Sequence, residues 1–315
     1  VATGWGADGR ILFHSDRDGD FDIYTMRADG SDIRQLTDDP GDDTWAAWAP
    51  DGRIAFTSNR DGGFEVWVMA ADGSDVVRLT DSPADDWMPA WSPDGKTIAF
   101  LSGRDESVEV YAVPSVGGEA VNLSRTPGMD ELITSGAWSP DGKRLAVVLS
   151  KDGGSQIYFI NPDGKGEPRR MTFTSAIDTE PNFSPDGELL LFTSDRGGSP
   201  QIYGMPVAGG EPRRLTFEGT YNVSPRFSPD GKSFTFIQRN GGRFNVAVQG
   251  LSTRQGEVLT DGFIDESPGF APDGRLVLHA PGGKGAFVGN PLPPPARHGP
   301  RRSSPGSRSP PPRRK

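Results

Sequence analysis

The sequence predicts an all-β protein, a β-propeller of four-stranded antiparallel blades. One turn signature recurs seven times at blade-length spacing, and an apolar, strand-like run follows each copy. The composition, with 42 glycines and 29 prolines in 315 residues, favours many short strands over long helices.

The signature reads W-G-A-D-G at Trp5, W-A-P-D-G at Trp48, W-S-P-D-G at Trp91 and Trp138, F-S-P-D-G at Phe183 and Phe227, and F-A-P-D-G at Phe270. Its aspartates, Asp8, Asp51, Asp94, Asp141, Asp186, Asp230 and Asp273, stand 43 to 47 residues apart. Pro presets the first central position of a tight turn, Asp suits the second, and Gly accepts the conformation that closes it. The turn therefore joins an innermost strand, ending in the aromatic, to a second strand. Residues 11–13, 54–56, 98–100, 145–148, 189–192, 234–237 and 276–278 supply that second strand, and their continuous apolar runs predict cover on both faces.

A Gly-rich hairpin comes next in most units, then a third strand such as FDIYTM, FEVWVM, VEVYAV, QIYFI or QIYGM. A D-G or G-G turn leads to a short fourth strand ending RQLT, VRLT, RRMT or RRLT. Radial stacking of such sheets buries their faces and leaves only short edges. Units start near residues 1, 44, 87, 134, 179, 223 and 266, which predicts a propeller over 1–290 with seven repeat units. In the last unit a third strand is expected near 286–288 and the outer strand is missing. Residues 291–315, rich in Pro, Arg and Ser, cannot pack a core and are expected to be disordered. They read either as a cationic tail that contacts acidic surfaces or as a cloning or reading-frame artefact replacing the blade's natural end.

Composition removes several functions. The chain has no cysteine, which excludes thiol catalysis, disulfides and Cys-type zinc sites. No run reaches the eighteen or so apolar residues of a membrane span, and residue 1 opens no signal peptide; one that existed would have been removed. The formal net charge is −10, and because the last 25 residues hold seven Arg or Lys and no acid, the body is more acidic still. Nucleic-acid binding, which needs clustered cations, is not expected. A monomeric ring is.

The units W-S-P-D-G-K-x-I-A-F, I-Y-x-M and R-x-L-T resemble the WD40-like (PD40) repeats of the TolB propeller family. The likeness is strongest over residues 135–286, notably DTEPNFSPDGELLLFTSDRGGSPQIYGMPVAGGEPRRLTFEG and LTDGFIDESPGFAPDG. The resemblance implies a periplasmic, non-catalytic component of the Tol-Pal envelope system, whose propeller binds the peptidoglycan-associated lipoprotein at one mouth of its channel. Three departures stand out: the family's small α/β domain ahead of the propeller and its closing aromatic-S-P segment are absent, and family members have six blades. A six-bladed ring is thus the alternative to seven. The chain is a fragment of a longer protein or a seven-bladed relative with another partner.

Residues just before the repeat aromatics should line the channel and one mouth. Five positions ahead of each aromatic lie Asp43, Asp86, Ile133, Asp178, Asn222 and Asp265, with Asp42, Asp85, Glu180 and Glu266 beside them. A carboxylate ring there would attract a cationic segment or a metal ion; alternatively each Asp caps its own loop. Trp45 and Trp87 lie outside the repeat's aromatic position and read as interface anchors or as inter-blade packing. Thr179 and Glu180 fall in the stretch most like the family and are the partner contacts the resemblance implies. Charge reversal at Asp178 or Asp265 is expected to weaken binding without unfolding the ring.

The run DRDGDFD, residues 16–22, has the alternating carboxylates of a calcium loop, yet the equivalent slots NRDGGFE, GRDESVE, KDGGSQ, DRGGSPQ and RNGGRFN mark it as a hairpin. No metal or other cofactor is expected. The three histidines, His14, His279 and His298, have no zinc-ligand spacing, and no G-x-S-x-G elbow is present. Two further function classes stay open: the substrate-gating propeller of a prolyl-oligopeptidase-like protease, and a carbohydrate-active propeller. The latter needs cations beside carboxylates in the channel, where only Arg226 can be placed.

Overall fold

The computed structural model describes residues 2–105, 107–126, 137–151, 153–261, 265–274, 276–279 and 286–289. The repeat letters close their turns as their chemistry requires. In the four S-P-D-G turns, Oδ1 of Asp94, Asp141, Asp186 and Asp230 accepts the backbone N–H two residues on at 3.0–3.1 Å. It also accepts the hydroxyl of the preceding Ser92, Ser139, Ser184 or Ser228. The glycine that follows has φ between 68° and 74°, a region closed to most side chains.

In the fifth unit the turn joins Asp178–Phe183 to Leu189–Ser194, which pairs with Gln201–Pro206, which pairs with Arg213–Arg214, all antiparallel. The strands sort into seven such sheets in chain order. Five have four strands. The fourth has three, Leu145–Leu149, Gln156–Ile160 and Arg169–Arg170, with its innermost position marked by a bridge from Trp138 to Leu145. Six blades thus show all four positions, and the seventh sheet shows three strands, Glu266–Phe270, Leu276–His279 and Ala286–Gly289. Ala2–Trp5 contacts the first two of these, so the first and last sheets meet and the blades form a ring. No helix occurs among the described residues, and the tail 291–315 lies outside them.

Second and third strands are buried along most of their length, and in the second blade along all of it, Ile54–Ser58 and Glu65–Met69. Their two faces feed different clusters: Ala55, Val66 and Val68 pack with Trp91 and Phe100 of the next blade, while Ile54, Phe56 and Trp67 pack with Leu12 and Ile23 of the previous one. This two-sided cover is why these strands lack polar alternation. The repeat tryptophan adds direction, since Trp91 Nε1 donates to the Ala47 carbonyl and Trp138 Nε1 to that of Ala90, each 3.1 Å away in the preceding blade.

Candidate partner-binding mouth

Antiparallel order brings the starts of the innermost strands and the hairpins between second and third strands to the same mouth of the ring. Each described innermost strand carries a bulge: the register skips between Thr44 and Ala47, Thr179 and Asn182, Val223 and Arg226, and Glu266 and Gly269, and beside Trp87 in the third blade. The bulged residues Trp45, Met88, Glu180 and Ser224 have φ of 48° to 58°. A bulge re-aims a side chain, and here it turns one residue out of the ladder at the mouth in each of the second, third, fifth and sixth blades.

The acids just before the bulges do something else. Asp43, Asp86 and Asp178 are fully buried, and each carboxylate pairs with an arginine of its own hairpin: Arg60 at 2.8 Å, Arg104 at 2.6 Å and Arg196 at 2.8 Å. The arginine Nε donates to Ser58, Ser102 or Ser194, and the guanidinium stacks on Trp67, Tyr111 or Tyr203 at 4.5–4.9 Å. The backbone N–H groups of Asp86, Asp178, Asn222 and Asp265 reach carbonyls of the preceding blade, Phe64, Ser155, Pro200 and Phe244, at 2.7–2.9 Å. Burial pushes the Asp43 carboxyl up, against the pull of Ser58, Thr37 and Arg60. Asn222 is buried on Gln201 and the Glu218 carbonyl, both at 2.8 Å, and buried Asp265 accepts from Thr260. Asp42 and Asp85 cap the backbone N–H groups of Phe21 and Phe64. These positions therefore do not present a carboxylate ring to the channel. A repeating buried acid is a latch within and between blades, because an ion removed from water persists only where it is paired.

Solvent reaches the next positions. Trp45 is 37% exposed and meets Phe64 edge-on at 6.4 Å. Trp87 is half-buried against the third-to-fourth blade cluster, and Thr179 is half-buried beside Glu180. Glu180, also half-buried, spans to the next blade: its carboxylate accepts the Thr193 hydroxyl at 2.6 Å, the Ser224 N–H at 2.7 Å and the Ser224 hydroxyl at 2.5 Å. Ile133 and the Glu266 side chain lie outside the described residues. Arg226, half-buried on the sixth innermost strand, donates to the Pro225 carbonyl at 2.8 Å; burial pulls its pKa down and Glu180 opposes this. Sequence reasoning missed the latch arginines, although S-x-R after the second strand (SNR, SGR, SDR) signals them.

Among the described residues one carboxylate group could hold a metal, Asp18, Asp20 and Asp22, each with an oxygen within 4.8 Å of the others. Protein donors already hold two of them: Tyr24 and Gln35 on Asp18 at 2.7 and 2.8 Å, Gln35 and Thr37 on Asp22 at 3.0 and 3.1 Å. Burial first, then repulsion from Asp18, Asp20 and Asp43, pushes Asp22 up to about 6 despite the Thr37 bond.

The family model described as the TolB beta propeller domain matches residues 1–77 and 125–288. The Tol-Pal system protein TolB of Bordetella pertussis is 53% identical over 121 residues, 38% of this chain and 28% of that protein. The chain thus aligns with well under a third of that relative, and with 12% of the TolB of an Azoarcus strain. The crystal structure of TolB from Acinetobacter baumannii is similar at TM-score 0.57 and 26% identity, over 88% of this chain and 78% of that one. An oligogalacturonate lyase in complex with manganese shares the fold at TM-score 0.70 and 17% identity, over 91% of this chain and 86% of that one. Matched by its model over well more than half its length, the chain belongs to the TolB β-propeller family.

Proposed function

We propose that this protein is a non-catalytic scaffold that captures a segment of a protein partner at the mouth where the innermost strands begin, in the periplasm as part of a Tol-Pal type assembly. The observation that carries the reading is the repeated bulge, which lifts one residue out of the ladder in four blades and leaves Trp45 accessible there. Trp45, Trp87, Thr179, Glu180 and Glu266 supply contact area and polar recognition. The latched acids Asp43, Asp86, Asp178 and Asp265 act indirectly, by holding the strand starts that present them. Tryptophan on a rigid frame gives much contact area for little ordering entropy. The relatives' name suggests an envelope protein such as a peptidoglycan-associated lipoprotein as the partner.

The test is a pull-down from bacterial envelope extract with the full chain, followed by mass spectrometry. Recovery of a peptidoglycan-associated lipoprotein, lost in a Trp45→Ala, Thr179→Arg double variant that still folds, is the expected result. A folded ring that retains no envelope lipoprotein would sink the reading.

A further inference from the structure

The first three blades carry a carboxylate at one slot of the hairpin between second and third strands: Asp18, Asp61 and Asp105. A residue pair faces across the third and fourth strands of each, Tyr24–Gln35, Trp67–Arg78 and Tyr111–Asn122; both members hold the acid in the first and third blades, and in the second only Arg78 comes near it. Tyr24 and Gln35 donate to Asp18 at 2.7 and 2.8 Å. Arg78 Nη1 lies 3.8 Å from Asp61, and Tyr111 and Asn122 both donate to Asp105.

The fifth blade keeps the donors and omits the acid. Tyr203 faces Arg214 in the same register, but the slot is Gly197, which is exposed. A Cβ built on Gly197 would lie 3.1 Å from the Tyr203 hydroxyl, a close contact, and 3.6 Å from Arg214 Nη1, so both donors reach over the exposed glycine. Arg78 also pairs with Glu65 at 2.8 Å and Asp81 at 2.7 Å; the matching residues of the fifth blade are Gln201 and Phe217. Arg214 is anchored just as Arg78 is, Nε to the Thr216 carbonyl at 2.6 Å against Nε to the Thr80 carbonyl at 2.7 Å. It stacks on half-exposed Phe217 at 5.3 Å, as does Arg254 at 5.5 Å. Gln201 is 1% exposed; its Oε1 accepts from Thr216 and Asn222, while its Nε2 has no acceptor among the described residues. No described carboxylate lies within 4 Å of Arg214 or Arg254.

We propose that the fifth blade binds a carboxylate supplied from outside the chain, in the place where its sister blades hold their own. The Arg214 guanidinium and the Tyr203 hydroxyl are its donors. Two stacked arginines on Phe217 place positive charge around this slot in an otherwise acidic protein, which favours an acidic side chain of a protein partner as the source. The site sits outward of the channel mouth and does not depend on the proposed capture there.

Tyrosine labelled at Cζ gives five carbon resonances in the full chain, one for each tyrosine, and Tyr203→Phe identifies its own. Titration uses sodium acetate and, separately, an acetylated Gly-Asp-Gly amide. The expected result is a saturable shift of the Tyr203 resonance alone, abolished by Gly197→Asp and weakened about tenfold or more by Arg214→Gln. Gly197 is not in the left-handed region, so Gly197→Asp, with the Tyr203 hydroxyl yielding a few tenths of an ångström, recreates the arrangement of the first and third blades and should raise the unfolding midpoint at pH 7 but not at pH 3. Saturation by the peptide where acetate is silent assigns a partner side chain, and equal response to both assigns any free carboxylate. No saturable Tyr203 shift with either probe, or a shift that persists in Gly197→Asp, overturns the proposal.

Discussion

At the scale of single residues, the acids of this protein divide by what pairs them. Asp178 is fully buried; one Arg196 nitrogen donates to both its oxygens, at 2.9 and 2.8 Å, and the Thr174 hydroxyl adds a longer bond at 3.4 Å. Removing one partner of such a pair strands a buried charge, so Arg196→Gln should cost about 3–5 kcal/mol in urea unfolding. The sequence suggested the reverse for charge changes at Asp178, a loss of binding with the fold intact; burial makes stability the property that moves. Asp22 is a second case. With its carboxyl pushed up to about 6 from an ordinary 3.8, the folded protein keeps a proton that the unfolded chain has already released. Stability therefore falls as pH rises through that window, by up to about 3 kcal/mol at neutral pH. Asp22→Asn should raise the thermal midpoint at pH 7.5 and leave it nearly unchanged at pH 4.

At the scale of the element, the innermost strand is where regular pairing yields to presentation. In the third blade its first residue, Asp86, hydrogen-bonds to the previous blade, its third, Met88, is bulged, and its last, Trp91, carries an indole that reaches back again. Trp91→Phe keeps the ring in the cluster with Phe100 and Val68 but leaves the Ala47 carbonyl without its donor. A loss of about 1–2 kcal/mol, read from the urea midpoint, is expected. The turn letters, the aromatic and the apolar second strand were legible in the sequence because each answers to a local rule. The bulge was not: a one-residue register shift depends on what lies across the ladder, and DTWAAW, DWMPAW and DTEPNF share no residue at the bulged position.

At the scale of the whole molecule, closure of the ring buries surface that no single blade can cover. Ile11, Phe13, Tyr24 and Met26 on the outward-turned face of the first sheet are at most 4% exposed, and Ile237 and Val246 of the sixth are nearly as covered. The strand Glu266–Phe270 reaches both sheets. A chain ending at residue 261 should expose these faces, bind a hydrophobic dye such as ANS and unfold at lower urea than the full chain. Equal midpoints and no dye binding would show that the seventh sheet adds nothing to closure.

The sequence alone determined the four-stranded repeat, the all-β class and the turn chemistry, because these follow from hydrophobic periodicity and from the dihedral preferences of Pro, Asp and Gly. It also singled out the segments where the innermost strands begin, with Trp45 and Glu180 among them. Tertiary structure decided which of those side chains reach solvent. Asp43 and Trp45 are two residues apart on one strand, yet one is sealed beneath Arg60 and the other stands out beside Phe64. Whether a carboxylate faces water or a guanidinium depends on a partner 17 or 18 residues away in the chain, and only the folded sheet brings the two together.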